Sequence, residues 1–163
     1  IVERPLTAFV QAAAFGGRGS LLKGLLQDIT KEELAEGKAY GDDEVRLLWS
    51  GPDAWTFASG VLPPQQVMSQ ISDLVSADQA AIFDLSNART CLRVSGHRRF
   101  DIFNKSCQVD FSLHQTGDVV MTTMEQCAVL MHLVRDDATD VYVMRTLAEA
   151  LNEALQHSVA EFR

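Results

Sequence analysis

The alternation of apolar and polar residues becomes regular only from Glu44 onward. The runs EVRLLW (44–49) and WTFAS (55–59) have the β-branched and aromatic content of strands, and they flank the turn SGPD. Two prolines at 63–64 then open a run whose apolar residues recur at helical spacing. This segment predicts two strands followed by a helix.

The same order of elements follows directly. AAIFDLS and RTCLRVS are strand-like runs separated by Asn87-Ala88. Gly96 then leads into HRRFDIFNKSC, in which Phe100, Phe103 and Cys107 share one helical face. A second strand-strand-helix unit is therefore predicted.

The last third of the chain repeats the pattern once more. The run DVVMTTMEQCAVLMHLVR (118–135) predicts either one long strand with a bulge or two strands. TDVYVM alternates as a further strand, and a helix is predicted from Thr146, where Thr146 and Glu149 have the spacing of a capping box.

Helices that follow pairs of strands are typical of the α+β class, with mainly antiparallel sheet and helices packed on one side. Residues 43–163 are expected to form a single α+β domain of this kind. Residues 1–42 are rich in glycine and show weak periodicity, with two short helix-like runs, LLKGLLQDI and KEELAEGKA. They are expected to form an irregular N-terminal arm.

Composition restricts the choice of partner and compartment. The net charge of −8 opposes nucleic-acid binding, which depends on Lys and Arg contacts to phosphates. The apolar run LTAFVQAAAF is too short to span a bilayer, so no membrane association is expected. Three cysteines without a CxxC pair predict neither a disulfide framework nor a zinc site, and they favour a reducing cytoplasm.

Motifs that would carry chemistry within the chain are few. The loop FGGRGS (15–20) lacks the spacing of a dinucleotide or phosphate loop, which favours a flexible turn. No histidine or cysteine pair has metal-ligand spacing, and no nucleophile elbow is present. The sequence therefore predicts no catalytic, cofactor-binding or metal-binding residue in this chain.

Four residues remain as candidates. Asp110 follows a helix at a junction where aspartate often caps backbone groups, and capping is favoured over a role as a general acid. Arg98 and Arg99 form a basic pair that either contacts a partner or lies on a solvated helix face. Trp55, beside the SGPDA turn, is expected to lie half in the core, and the alternative is an aromatic that anchors a partner.

The stretch from FDLS through VSG to KSCQVDF resembles the folate-binding fold shared by aminomethyltransferase, the T-protein of glycine cleavage, and its relatives. Within that fold, the ordered series GPD-x-W, DLSNARTCLRVSG, KSCQVD and TTMEQCAVLMHLVR is similar to the gamma subunit of heterotetrameric sarcosine oxidase. The likeness covers roughly residues 44–155, and residues 1–42 have no alignable counterpart.

This resemblance implies a non-catalytic accessory gamma subunit that supports the oxidative demethylation of sarcosine to glycine, with the one-carbon unit passed to tetrahydrofolate. It implies alpha, beta and delta partner subunits that carry FAD, FMN, NAD, tetrahydrofolate and zinc. The isolated chain is then expected to be inactive, and Arg98, Arg99 and Trp55 are expected at a partner interface.

Three alternatives stay open. The chain could be the equivalent subunit of a related N-methyl amino acid dehydrogenase. It could be a stand-alone folate-binding one-carbon transferase that uses Asp110, which matches the position of an acid important for folate chemistry in aminomethyltransferases. It could also be an iron–sulfur assembly module, although the cysteine motif of those relatives has no equivalent around Cys91, Cys107 or Cys127.

Overall fold

The computed structural model describes residues 1–162 and divides the chain into two compact units. The first unit is Pro5–Asn87, and the second joins Ile1–Arg4 to the chain from Ala88 onward. The helices and strands are, in chain order, β1 (Val2–Arg4), β2 (Ala8–Ala14), α1 (Gly19–Thr30), β3 (Ala39–Gly41), β4 (Val45–Trp49), β5 (Ala54–Ser59), α2 (Pro64–Ser72), β6 (Ala80–Asp84), β7 (Arg89–Ser95), α3 (Arg99–Ser106), β8 (Val119–Met124), β9 (Cys127–Arg135), β10 (Ala138–Met144) and α4 (Ala148–Ala160).

The first unit is a five-stranded sheet in the order β3-β4-β5-β2-β6, and every neighbouring pair is antiparallel. Alternate residues of β2 are apolar and enter one core, to which both helices contribute. The apolar residues that each helix contributes to this core are spaced three to four residues apart, as expected for an amphipathic helix. The buried residues of this core include Val10, Ala12, Leu22, Leu26, Leu47, Trp55, Val67 and Ile71.

The second unit is also a five-stranded antiparallel sheet, in the order β1-β7-β10-β9-β8. One face of this sheet shares a core with α3 and α4. The buried residues of this core include Leu92, Val94, Phe103, Phe111, Met131, Val141, Leu151 and Leu155.

The two units have the same topology. Along the chain, each unit has a strand, a helix, three strands and a second helix. In each sheet, the first of these strands lies between the last of the three strands and one further strand. In the first unit the further strand is β6, which comes last in sequence. In the second unit it is β1, which comes from the N-terminal end of the described chain. The sequence alone shows no repeat because the two halves share the pattern of burial and not the residues.

The predicted α+β class and antiparallel pairing are confirmed. The long run over residues 118–135 forms two strands and not one bulged strand. A two-residue turn, Glu125-Gln126, joins them, and both residues have positive φ, which matches the hairpin geometry that suits the twist of two strands.

Residues 1–42 differ from the expected irregular arm. They contain β2, which lies between β5 and β6 in its sheet. They also contain α1, which confirms the helix-like run LLKGLLQDI, whereas KEELAEGKA forms no α-helix. The alanine-rich sequence AFVQAAA has low intrinsic strand preference, and its pairing partners lie more than 40 residues away, so local pattern does not reveal it. The boundary between the two compact units lies after Asn87, and not between residues 42 and 43 as predicted. Arg163, the last residue of the predicted domain, lies outside the described residues.

The predicted capping box at Thr146 is not formed. Residues Arg145–Leu147 make a short 3-10 helix, and α4 begins only at Ala148, without a side-chain cap. The 3-10 turn places Thr146 before the first α-helical turn, so its hydroxyl does not cap the α-helical amides.

Candidate functional site

The GPD turn holds the start of α1. Asp53 Oδ1 accepts a hydrogen bond from the backbone N–H of Gly19 at 3.1 Å. A Cβ atom at Gly19 would lie 2.3 Å from that oxygen, so only glycine fits this approach. One backbone amide of the loop FGGRGS is thus already bonded to the chain's own carboxylate.

The DLS motif closes a turn at the end of β6. Asp84 Oδ1 accepts hydrogen bonds from the backbone N–H of Ser86 at 3.0 Å and from its hydroxyl at 2.5 Å. The Ser86 hydroxyl oxygen in turn accepts from the N–H of Phe9 at 2.9 Å. This motif therefore connects β6 to β2 and is used by the framework of the first unit.

Asp110 caps a short 3-10 helix, Phe111–Leu113. Its Oδ1 accepts hydrogen bonds from the N–H of Ser112 at 3.0 Å and from the Ser112 hydroxyl at 2.6 Å, and its side chain is exposed. The Ser112 hydroxyl, and then the Ser112 amide, hold the pKa of Asp110 below its usual value. The carboxyl group is thus ionised at neutral pH and makes the cap that its position predicts.

The adjacent arginines have different environments. The Arg98 side chain is 61% exposed, donates to Asp101 Oδ2 at 2.9 Å and lies 4.2 Å from the Phe162 ring centroid. Arg99 is buried, donates from Nε to the Thr139 hydroxyl at 3.2 Å and lies over the Phe100 ring at 3.9 Å. Burial lowers the pKa of the Arg99 guanidinium, and Asp137 and Asp136 counteract that effect. Only Arg98 of the predicted pair presents its charge at the surface of the described chain.

Trp55 lies in the core of the first unit, where its exposed fraction is 2% and its ring packs at a tilt against Tyr40. That burial leaves little side-chain surface for a partner. The aromatic and turn pattern that suggested an anchor is explained by burial of Trp55 in this core.

All three cysteines, Cys91, Cys107 and Cys127, are buried. Burial raises the pKa of the Cys107 thiol, which keeps that thiol protonated at neutral pH. Within residues 1–162, no group of three or more histidine, cysteine, aspartate or glutamate side chains could hold a metal ion.

A pocket of about 410 Å³ lies in the second unit, where β1, β7 and the first turn of α4 meet. Thr90, which is buried on β7, donates from its hydroxyl to Glu3 Oε1 at 3.3 Å. Arg145 Nη2 donates to the carbonyl of Arg89 at 2.9 Å. The pocket is lined by Ile1, Glu3, Thr90, Leu92, Arg145, Ala148, Glu149 and Asn152.

Sequence reasoning missed this pocket. Its lining comes from three segments that are far apart in the chain. The predicted capping box contained Glu149, and the motif DLSNARTCLRVSG contained Thr90 and Leu92, but nothing in the sequence indicated that these residues meet. The spacing of polar residues at the start of the last helix was the available indication of a pocket. The capping-box hypothesis had attributed this spacing to helix capping alone.

Among residues 1–162, no helix is both long enough and apolar enough to cross a membrane. No protein-family model matches this sequence, and no curated protein matches it. A solved structure of heterotetrameric sarcosine oxidase from Corynebacterium sp. U-96, in complex with pyrrole 2-carboxylate, contains a chain of similar fold. The TM-score is 0.82 at 20% sequence identity, and the match covers 98% of this chain and 83% of that chain.

At this identity the likeness defines the fold. It extends across nearly the whole chain, so the residues without an alignable counterpart in sequence, 1–42, fall largely within the matched structure. The strand β2 and helix α1 thus lie within the part of the chain that the match covers.

Proposed function

We propose that this chain is a non-catalytic accessory subunit of a heterotetrameric sarcosine oxidase, equivalent to its gamma subunit. The observation that carries the proposal is the structural likeness to a chain of such an enzyme over 98% of this chain and 83% of the other. Because both fractions are high, the two chains have similar lengths, which suits a small subunit of the complex.

The use of the motif residues supports an accessory role. Asp53 bonds the amide of Gly19, Ser86 bonds the amide of Phe9, and Asp110 bonds Ser112. These three residues, which lie in motifs that carry the family resemblance, are therefore bonded within the chain at its turns. A scaffold role of this kind needs no substrate contact.

In this proposal the alpha, beta and delta subunits carry FAD, FMN, NAD, tetrahydrofolate and zinc, and the assembly acts in the cytoplasm. The complex oxidatively demethylates sarcosine to glycine and passes the one-carbon unit to tetrahydrofolate. This chain contributes packing surface, and the exposed guanidinium of Arg98 is its proposed contact.

The proposal is tested by affinity capture of the tagged chain from its native cells, followed by an absorbance spectrum of the eluate. Co-purification of a large and a medium subunit with flavin absorbance, and sarcosine-dependent peroxide formation, is the expected result. A colourless chain recovered alone contradicts the proposal. Flavin absorbance with turnover of another N-methyl amino acid, and none of sarcosine, identifies the related dehydrogenase instead.

A second candidate is a stand-alone folate-binding one-carbon transferase that uses Asp110. Its support is that the carboxyl group of Asp110 is exposed and ionised at neutral pH, and so is available to a cationic or N–H-bearing ligand. Titration of the purified chain with tetrahydrofolate tests this candidate. Saturable binding that Asp110→Asn abolishes favours it, whereas absence of binding leaves Asp110 as a cap.

A further inference from the structure

The strand β8 is an open edge of the sheet in the second unit. It lies at one end of the order β1-β7-β10-β9-β8, and within the described chain it pairs only with β9. The register of the two strands runs without a break from Val119 opposite His132 to Met124 opposite Cys127, so no bulge turns this edge away. The side of β8 that faces away from β9 therefore presents a row of backbone donors and acceptors.

The turn at the end of β8 shows which residues face outward. A two-residue turn places Met124 and Cys127 in a hydrogen-bonded pair, and antiparallel alternation then directs every second residue of β8 away from β9. The outward residues are Val119, Met121 and Thr123. The next residue in this series, Glu125, donates its amide to the Ser106 carbonyl at 3.1 Å, so the end of α3 covers that end of the edge.

Met121 and Thr123 form the accessible part of this edge. Both residues are exposed, and Met121 exposes 54% of its surface although its side chain is apolar. Within residues 1–162, no hydrogen bond to another segment engages the outward amide or carbonyl group of either residue. Four backbone groups are thus available to an added strand.

The other sheet edges carry features that oppose strand pairing. β1 contains Glu3 and Arg4, β3 is three residues long and ends at Gly41, and β6 ends at the exposed Asp84. Charged residues and short strands are common devices that prevent pairing at an edge. β8 has six residues, VVMTTM, with neither a charge nor a proline. An edge of this kind is suited to accept another strand.

The area of a strand pair distinguishes two possible occupants. β8 spans about 20 Å and neighbouring strands lie about 5 Å apart, so a second copy joined through β8 alone covers far less than the roughly 800 Å² per partner of a stable interface. The net charge of −8 on each copy opposes that pairing further. A segment of a different subunit is not limited in this way, because the rest of that subunit adds contacts elsewhere.

We propose that β8 accepts an extended segment of a partner subunit as a sixth strand of this sheet. The segment is uncharged and rich in β-branched or aromatic residues, which pair best with the valine, methionine and threonine side chains of β8. The opposite edge of the same sheet already takes a strand from a distant part of the chain, since β1 pairs with β7. The choice of a partner subunit as the source rests on the proposed function.

Hydrogen exchange measures the added strand directly. The tagged chain is captured from its native cells with its partners, and amide exchange is followed by mass spectrometry with residue-level fragmentation, in the assembly and in the purified chain. The amides of Met121 and Thr123 are expected to exchange at least about tenfold more slowly in the assembly. The amide of Ile82 faces outward on the edge strand β6, and as the internal control it is expected to be unchanged.

Three variants separate the backbone of β8 from its side chains. Thr123→Pro removes an outward N–H that an edge strand can spare, so it is expected to fold and to capture about tenfold less partner. Thr123→Ala keeps the N–H and is expected to capture partners within about twofold of the parent chain. Thr122→Pro removes an amide that bonds β9, so its melting temperature is expected to lie well below that of Thr123→Pro. Equal loss of partner capture in Thr123→Ala shows a side-chain contact and contradicts an added strand.

The contrary results are distinguishable from one another. Assembly with unchanged exchange at Met121 and Thr123, or full partner capture by a folded Thr123→Pro variant, overturns the added strand and leaves the proposed function standing. Recovery of the chain alone contradicts both. Protection of the two amides that rises with the concentration of the purified chain identifies a second copy on β8 and overturns the partner segment. If Thr123→Pro does not fold, exchange in the parent assembly decides the outcome.

Discussion

Arg93 and Asp140 form a two-contact ion pair across β7 and β10. Arg93 Nε donates to Asp140 Oδ1 at 2.6 Å, and Arg93 Nη2 donates to Asp140 Oδ2 at 2.8 Å. The two residues are paired in the sheet register, and the Asp140 side chain has no exposed surface. A buried charge of this kind is tolerated only while its partner and hydrogen bonds stay in place.

Removal of one partner is therefore expected to destabilise the chain strongly. Asp140→Ala leaves the Arg93 guanidinium buried without its carboxylate, and the free energy of unfolding is expected to fall by about 3–5 kcal/mol. Urea unfolding followed by circular dichroism measures the loss. The matched control is Asp137→Ala, which removes an exposed partner of Arg135 and is expected to have a far smaller effect. Similar losses in both variants would contradict a special role for the buried pair.

The two glycines of α1 are expected to respond in opposite directions to alanine. Gly19→Ala places a Cβ against Asp53 Oδ1 and the Pro52 carbonyl, so it is expected to lower the free energy of unfolding by about 1–3 kcal/mol. Gly24→Ala meets open space within the helix and is expected to raise it by about 0.5–1 kcal/mol. Thermal unfolding of both variants separates helix propensity, which favours alanine at both positions, from the contact with the GPD turn. A stabilised Gly19→Ala variant would show that this turn does not restrict α1.

The cap at Asp110 predicts a specific dependence of stability on pH. Its pKa in the folded chain lies below the ordinary value of 3.8, so the ionised form contributes stability above pH 3.8, and this contribution is lost as the pH falls through the lower folded pKa. The melting temperature of Asp110→Asn is therefore expected to lie below that of the parent chain at pH 7 and to approach it in strong acid. Ser112→Ala removes the main cause of the shift and serves as the companion variant. If the difference in melting temperature between the parent chain and Asp110→Asn is the same at pH 7 and in strong acid, the ionised Asp110 carboxylate does not stabilise the chain as a cap.

Substitutions of the two adjacent arginines are expected to have different effects, one on the stability of the chain and the other on subunit assembly. Arg99→Ala removes a buried guanidinium that bonds Thr139 and covers Phe100, so the free energy of unfolding is expected to fall by about 1–3 kcal/mol. Arg98→Ala removes an exposed side chain and is expected to change stability little, while it reduces the yield of captured partner subunits. Circular dichroism and affinity capture are measured on the same preparations. Full partner capture by a folded Arg98→Ala variant would remove Arg98 from the interface.

The local sequence pattern was sufficient to predict a helix or strand where that element buries a stripe of its own apolar residues. The spacing of Val67 and Ile71 in α2, and of Leu151 and Leu155 in α4, follows from helix geometry, and both helices are found where the sequence predicts them. The alternation in TDVYVM likewise specifies β10. These predictions succeed because the period of the side chains is a property of each segment alone.

The sequence by itself thus determined the α+β class and the positions of the four α-helices of the described chain, the first of them through the helix-like run LLKGLLQDI. Only the tertiary structure decided that the alanine-rich run Ala8–Ala14 is an inner strand, that β1 completes the second unit, and that Glu3, Thr90 and Glu149 line one pocket. The physical reason is the same in each case. Strand pairing and pockets depend on contacts between residues far apart in the chain, and no local period of apolar residues encodes which distant segments meet.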